Sequence, residues 1–435
     1  MNFNQNLLTN FFGYGILIFP LFLLIGPLVS EIFLILIIFF STYYIFKERK
    51  FNFFNNKYLV FFLIFYLSTL TSTLLNFYNY DYVKSGILYF RIPLFSLAIW
   101  FVLENSSLFN KKVIILYSTF LIIIISDSLF QFFTGENFLG YEILRFRISS
   151  FFGDELILGS FLVRILPIFL ICTILSNTMN EKKINIFFAF LISLVCVIVY
   201  LSGERTSFFL LILFFGIIFL SNKFLRKFII VVMIFTVCFS FVISKNRYSD
   251  DVNPAIRMFK KSYEQIIGKG EERYEKYKKK LLGKVYIFSH DHHGHYTLSY
   301  RIFKDHPIMG TGPKGFRYLC RNKIYILENN DGCSTHPHNT YMQILTSNGI
   351  IGFTLLLFSF LYISKEIFVI RKKINSQKIF DKFIASENIV LAAIFINLWP
   401  LIPSGNFFNN WLSMIYFYPI GFYLYLKYRN EKLIN

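Results

Sequence analysis

Long runs of apolar residues recur along almost the whole chain and are separated by short polar breaks. Each run approaches the length of about 20 residues that a helix needs to cross the hydrocarbon core of a bilayer. The pattern therefore predicts an all-α polytopic membrane protein with about twelve transmembrane helices. We place the spans near residues 11–28, 30–46, 57–75, 86–103, 112–133, 156–175, 184–201, 205–221, 227–244, 339–363, 386–403 and 408–427.

The first two spans are short and separated only by residues 27–30, so one re-entrant unit is an alternative to two crossings. Residues 1–10 lack a charged n-region, and no small-residue cleavage site follows the first apolar run. These features predict that the first helix stays in the protein as an anchor.

The distribution of Lys and Arg predicts the orientation. With a cytoplasmic N-terminus, the inner connections hold twenty of these residues and the short outer ones only Lys84, Arg145, Arg147 and Arg205. Cytoplasmic loops carry this excess. The predicted layout is helices 1–9 in residues 1–244, one large periplasmic loop between helices 9 and 10 in residues 245–338, and helices 10–12 in residues 339–435.

Composition agrees with a membrane protein, because 55% of the residues are hydrophobic and only 16% are charged. A soluble domain typically has about a quarter of its residues charged. The formal charge of +19 lies in the breaks between apolar runs. This placement indicates contact with anionic lipid headgroups and argues against a nucleic-acid partner.

The long loop changes character midway. Residues 245–284 are strongly charged and predict a solvated helix, whereas the part from Val285 onward is rich in His, Gly, Pro and Tyr and predicts a folded cap. Cys320 and Cys333 lie in this loop, where an oxidising compartment permits a disulfide worth about 2–3 kcal/mol. Two free thiols are the alternative. Three further cysteines lie in apolar spans and are predicted core residues: Cys172, Cys196 and Cys238.

All seven histidines fall within 49 residues of this loop. Clustered imidazoles indicate metal binding, proton transfer or a pH switch. For the segment from His290 to His295 we favour a polar surface turn, because adjacent residues of an extended loop rarely converge on one ion. Metal binding and a substrate contact through His295 remain as alternatives.

The segment Thr335-His336-Pro337-His338-Asn339-Thr340-Tyr341 leads directly into an apolar span. Asn339 or Thr340 can cap the helix that begins there. His338 would then lie beside the positive end of the helix dipole, which favours the neutral imidazole that a general base needs. Gly349 and Gly352 follow as a small-xx-small pair that predicts close approach of another helix.

Arginines at the edges of apolar spans form the second signal, because a charge there is costly and usually paired or functional. Arg205 and Arg301 are candidates for bidentate phosphate binding, with snorkelling or a salt bridge to Glu204 as the alternative for Arg205. For Arg91 and Arg164, inside spans, we favour a structural role. The Gly-rich segment 310–315 lacks the preceding strand and following helix that a phosphate-binding loop requires, and it predicts a tight turn.

Taken together, these motifs resemble the O-antigen ligases and the related O-antigen polymerases. The resemblance rests on His338-Asn339, followed after nine intervening residues by Gly349-x-x-Gly352, and it covers roughly residues 130–425. Phe353-Thr354 stands where the ligase signature often has two threonines. The other matching segments are Leu201–Thr206, Arg301 before His306-Pro307-x-x-Gly310-x-Gly312, Gly315-Phe316-Arg317, Arg147 before Phe152-Gly153-Asp154-Glu155, and Pro403–Trp411.

The resemblance implies an inverting glycosyl transfer without metal or other cofactor at the periplasmic face of the bacterial inner membrane. The donor would be a glycan on undecaprenyl diphosphate, and the acceptor lipid A–core for a ligase or a growing glycan for a polymerase. His338 would be the catalytic base, and Arg205 and Arg301 would bind the diphosphate. Further candidate substrate contacts are Asn339, His336, Arg317, Arg147 and His295.

Other functional classes fit less well. A transporter of lipid-linked sugars predicts charged residues along a path through many helices and repeated halves, whereas the polar residues here concentrate at one face and in one loop. A sensor or channel with a histidine switch would need paired gating elements, which the sequence does not indicate.

Overall fold

The computed structural model describes residues 3–76, 80–144, 146–176, 185–245, 254–267, 288–325 and 332–432. Every regular element in these ranges is helical, so the predicted all-α class is confirmed. The helices are α1 (Phe3–Leu17), α2 (Phe19–Ile25), α3 (Pro27–Lys47), α4 (Lys57–Leu75), α5 (Tyr80–Ile87), α6 (Arg91–Glu104), α7 (Lys111–Thr134), α8 (Leu158–Leu175), α9 (Ile186–Leu201), α10 (Arg205–Ser221), α11 (Arg226–Lys245), α12 (Pro254–Ile267), α13 (His290–Asp305), α14 (Gly315–Leu319), α15 (Thr340–Ser376), α16 (Lys382–Asn397) and α17 (Asn410–Lys432). Three short 3-10 turns are Phe51–Phe53, Leu88–Phe90 and Ser150–Phe152.

Each predicted span falls on a helix, but the count of twelve crossings is not confirmed. Among the described residues, seven helices are long and apolar enough to cross a membrane, or eight if the bent pair of α1 and α2 counts as one span. The helices α9 and α10 have 16 and 17 residues, about 25 Å of rise against a hydrocarbon core of about 30 Å.

The chain bends by 59° between α1 and α2, inside the first predicted span. The following helix, α3, has 21 residues and is long enough to cross by itself. The chain breaks a second time at Gly26, between α2 and α3, and the alternative of one re-entrant unit built from both spans stays a prediction.

Asn and Asp begin several of the apolar helices. The side chains of Asn56, Asn110, Asn185 and Asp381 each accept a hydrogen bond from backbone N–H groups in the first turn of the next helix. These caps satisfy amides that have no partner within the helix. The polar breaks between apolar runs thus set the helix starts.

The centre of the bundle consists of helices that are buried over most of their surface. In α8, 94% of the 18-residue apolar stretch is buried inside the protein, whereas in α11 only 22% of such a stretch is buried. Helix α17 packs against α6 and α16, and α16 packs in turn against α8 and α15. The peripheral helices leave apolar faces exposed, as lipid contact requires.

Helix α15 is broken at Gly349, which has φ 62° and ψ −157°. The break frees two carbonyl groups, which accept hydrogen bonds from the backbone N–H groups of a neighbouring loop: Thr311 donates to Thr346 (2.9 Å) and Gly312 to Ser347 (2.7 Å). A Cβ at Gly349 would lie 2.2 Å from the carbonyl oxygen of Ile308. Only glycine fits here, because both the backbone conformation and the space exclude a side chain.

This arrangement qualifies one prediction and confirms another. At Gly349 itself the close contact is with the backbone of residues 307–310 and not with a helix, whereas helix α4 approaches α15 just before it, where Ser72 donates to the Ser347 carbonyl and Asn348 to Thr69. The Gly-rich segment is a tight turn as predicted, with positive φ at Gly310 and Gly312. Its Thr311 and Gly312 amides are engaged with helix α15 and are not a phosphate cradle.

The segment that precedes α15 contains α13 and α14 and has a small apolar core of its own. We call residues 288–325 and 332–339 the cap. The core joins two cap helices and their connections through Leu298, Ile302, Phe316, Cys320 and Tyr325. A disulfide connects Cys320 and Cys333, whose Cα atoms lie 5.1 Å apart. Of the charged stretch 245–284, residues 254–267 form a helix as predicted, and residues 268–284 lie outside the described ranges.

Candidate functional site

Asn339 holds the entry into α15. It is the N-cap residue in an extended conformation, and its Oδ1 accepts a hydrogen bond from the Met342 N–H (3.1 Å). Its Nδ2 donates to the carbonyl oxygens of Pro400 (2.8 Å) and Ile402 (3.1 Å). The predicted cap is therefore confirmed. Both amide hydrogens are engaged within the protein, so the side chain is a positioning element and has none to offer a substrate.

His338, directly before this cap, has a left-handed backbone with φ 55°. Such a conformation costs a non-glycine residue about 1–3 kcal/mol and persists only where the surroundings impose it. Here the Ser404 N–H donates to the His338 carbonyl (2.9 Å), and the hydroxyls of Thr340 and Ser404 are hydrogen-bonded at 2.9 Å. The segment 403–411 thus braces the backbone that presents His338.

Four histidine rings meet at this point. The ring centroid of His338 lies 4.1 Å from that of His336, 5.0 Å from that of His295 and 6.1 Å from that of His292. His292 and His295 are three residues apart on α13, and this spacing puts both on one helix face. The favoured prediction of a polar surface turn for 290–295 is therefore wrong. We call these four rings the histidine cluster.

Burial and mutual repulsion favour the neutral form of three rings in the cluster, those of His292, His336 and His338. Burial, and then the charges of His336, His295 and His292, lower the pKa of His338 to about 3. Burial is also the main cause that lowers the pKa of His336 to about 4, against an opposing effect of the Ser404 backbone. The pKa of His292 is lowered as well, first by burial and then by His295. At neutral pH these imidazoles can therefore accept a proton.

The cap orients the ring of His295. Its Nδ1 lies 2.9 Å from the carbonyl oxygen of Gly332. A carbonyl only accepts, so Nδ1 carries a proton and Nε2 is the ring nitrogen that is turned away from this contact. Gly332 directly precedes Cys333, so the disulfide to Cys320 holds the loop segment that orients this ring.

Two arginines flank the cluster. Arg205, at the first position of α10, lies close enough to His292 for its charge to lower the pKa of that ring. Arg317, in α14, acts in the same way on His336. The Nε of Arg317 is buried and makes no hydrogen bond within the described chain. A buried guanidinium donor without a partner beside neutral imidazoles is suited to an anionic ligand.

The other candidate arginines have different surroundings. Arg301 is exposed on α13, and its side chain makes no hydrogen bond or ion pair with the residues that the structure describes. Arg147 donates from Nε to the Ser202 carbonyl (3.0 Å) and from a terminal nitrogen to the Leu156 carbonyl (3.1 Å). The structure therefore brings Arg205 to the cluster and gives Arg147 a bracing role at the turn before it.

Glu204 does not need Arg205 as a partner. Its carboxylate accepts from the N–H groups of Gly159 (2.7 Å) and Ser160 (3.1 Å) and from the Ser207 hydroxyl (2.8 Å). It also lies 3.9 Å from Arg147. The carboxylate thus caps α8 and fixes the start of α10, where Arg205 stands.

The two arginines inside predicted spans bind neighbouring segments of the protein, which agrees with the structural role that we favoured for them from the sequence. Arg91 contacts Glu31, the Leu88 carbonyl and the Asn410 side chain. Arg164 is buried, donates to the carbonyl oxygen of Ser160 (2.8 Å) and lies over the Tyr416 ring. Each joins neighbouring segments of the bundle, remote in sequence from the cap.

His292 was not predicted as a site residue and Arg317 was predicted only as a further substrate contact, whereas the structure places His292 beside His338 and Arg317 near His336. The spacing of His292 and His295 was a usable signal, because it matches one turn of a helix.

In the described residues, no group of three or more His, Cys, Asp or Glu side chains is placed to hold a metal ion.

The profile of the O-antigen ligase family matches residues 188–357. The matched stretch runs from α9 to the middle of α15 and therefore contains Arg205, the cap, His338 and Gly349. No curated protein matches the chain. The site-bearing stretch of this multi-pass membrane protein is therefore similar to the O-antigen ligase family.

Proposed function

We propose that this protein transfers a glycan from undecaprenyl diphosphate to a sugar hydroxyl of an acceptor, with lipid A–core as the acceptor, at the periplasmic face of the bacterial inner membrane. One observation supports the proposal most. A neutral histidine on a strained backbone lies in a cluster that two arginines flank, inside the stretch that matches the O-antigen ligase family.

In this proposal His338 is the catalytic base. The acceptor hydroxyl gives its proton to His338 as its oxygen forms a bond to C1 of the donor sugar. The bond between C1 and the diphosphate oxygen breaks, and undecaprenyl diphosphate leaves with the electron pair. Attack from the face opposite the leaving group inverts the anomeric centre.

A pKa of about 3 would make His338 a weak base in the empty site. Donor binding changes this, because a nearby negative charge favours the protonated form of an imidazole. The diphosphate would therefore raise the pKa of His338 when the acceptor proton has to be taken. This coupling ties proton abstraction to the presence of donor.

Arg205 and Arg317 are proposed to bind the diphosphate. Negative charge grows on this group as the sugar leaves, and fixed cationic donors stabilise such charge in the transition state. The unpartnered Nε of Arg317 supports this role, as does the position of Arg205 beside His292. Arg301 stays a candidate diphosphate ligand from the sequence, and its exposed side chain would have to turn toward the donor.

The experiment is a deletion of the gene in its native host, followed by gel analysis of lipopolysaccharide and of lipid-linked glycan. The ligase proposal predicts loss of glycan from lipid A–core, restoration by the wild-type gene and no restoration by His338→Ala inserted at wild-type level. Glycan that still reaches lipid A–core but remains as single repeat units would indicate the polymerase. Restoration by His338→Ala would remove the proposed base.

A further inference from the structure

Helix α12 has no part in the proposed site, yet one of its faces is conspicuously apolar. Phe259, Tyr263 and Ile266 follow the spacing that places residues on one side of a helix. Their side chains are 68%, 64% and 45% exposed. A helix in water would not keep three such side chains on one exposed face without a partner.

The neighbours of α12 indicate which partner this is. The helix packs against α9, an apolar helix of the bundle. It also begins only nine residues after the end of α11 at Lys245, a separation that spans at most about 30 Å. An exposed apolar face on a helix that lies against the membrane bundle is adjacent to lipid.

The charges of α12 fit the headgroup layer. Its sequence contains Arg257, Lys260 and Lys261 against the single acid Glu264, and Lys260 is exposed. Interfacial helices combine an apolar face with such a basic polar face, which attracts anionic lipid. Tyr263 has the amphipathic ring that is enriched at membrane interfaces.

We propose that α12 lies in the surface layer of the bilayer that the protein's own helices cross, with Phe259, Tyr263 and Ile266 in the acyl region and Lys260 among anionic headgroups. The helix is thus a second membrane contact of the long loop between α11 and α15. It holds that loop beside α9, which itself packs against α10, the helix that begins with Arg205. The proposal does not depend on the glycan-transfer activity.

The test is nitroxide scanning of the full-length protein in vesicles of phosphatidylethanolamine and phosphatidylglycerol. Single cysteines replace Phe259, Tyr263 or Ile266, with Lys260 and Glu264 as matched controls one residue further along. Labels on the apolar face should collide with oxygen several-fold more than with a water-soluble nickel chelate, and the control labels should show the reverse preference. Because all three apolar side chains are exposed, these substitutions leave the folded core intact.

Two results would overturn the proposal. Equal access of the nickel chelate to all five labels would place the helix in water. Protection of the apolar-face labels from both reagents would mean that protein covers them, for example a second copy of the chain. In vesicles of neutral phosphatidylcholine alone we expect shallower insertion, and an unchanged depth would remove the role of anionic headgroups.

Discussion

The electrostatics of the histidine cluster predict an unusual dependence of activity on pH. An enzyme that uses a histidine base normally loses activity as the pH falls through about 6.5, because the imidazole becomes protonated. Here burial and three neighbouring rings lower the pKa of His338 to about 3. We therefore expect kcat/KM, which reports the ionisation of the free enzyme, to stay high in acidic solution.

The size of the effect follows from the two pKa values. At about pH 5.5 an ordinary imidazole is neutral in only about one molecule in ten, whereas a ring with a pKa of about 3 is neutral in nearly all. Between about pH 7.5 and 5.5 we expect kcat/KM to fall less than about twofold, where an ordinary histidine base would lose about tenfold.

The assay measures kcat/KM of the purified protein with a lipid-linked glycan donor, because kcat/KM reports the ionisation of the free enzyme. Nuclear magnetic resonance of ring-labelled histidine would follow His338 directly, with His338→Ala to assign the signal. Folding must be checked in parallel. The pKa values of buried histidines are lower in the folded than in the unfolded chain, so acid destabilises the fold between about pH 6.5 and 3.

Two results would refute this reasoning. A half-maximal kcat/KM near pH 6.5, with the ring of His338 titrating at the same pH, would mean that the ring is solvated and that its neighbours have little effect. A pH profile that stays the same in His338→Ala would mean that the titrating group is elsewhere.

Three further predictions test the parts of the site separately. Arg317→Gln should lower kcat/KM about 10²–10³-fold, because it removes a donor to the diphosphate. The control Arg321→Gln, at an exposed position in the next turn, should leave kcat/KM unchanged, and equal effects of the two changes would contradict the role of Arg317. Gly349→Ala should destabilise the protein by about 1–3 kcal/mol or more and make the cap more sensitive to protease. Gly216→Ala, where the added Cβ meets open space, should do neither. A stable Gly349→Ala protein would contradict the close contact between Gly349 and residues 307–310. Cys333→Ser should lower the stability of the cap by about 2–4 kcal/mol, seen as faster limited proteolysis, and proteolysis at the wild-type rate would show that the disulfide does not hold it.

Local patterns predicted much of the architecture. Apolar runs locate helices because each run must satisfy its backbone groups internally in lipid. The Asn339 cap followed from residue type and position, since capping acts within one turn. The structural roles of Arg91 and Arg164 followed from the cost of a charge inside an apolar span.

The site itself depends on contacts between residues far apart in the sequence. His292 and His336 come together only because the apolar core of the cap and its disulfide bring α13 back to the start of α15. The break at Gly349 exists because residues 307–312 supply partners for the freed carbonyl groups. Local pattern alone pointed to Arg301 as a ligand of the diphosphate. Arg317 comes near the histidine cluster only through the long-range contacts of the cap, which the sequence does not show.

The most direct test of the central claim is the rate of glycan transfer by purified protein with its histidines replaced one at a time. His338→Ala should lose about 10²–10⁴-fold in kcat/KM, the usual contribution of a general base. His306→Ala, in the same cap but outside the histidine cluster, should retain the wild-type value. Wild-type transfer by a correctly folded His338→Ala protein, or an equal loss in both variants, would contradict the assignment of His338 as the base.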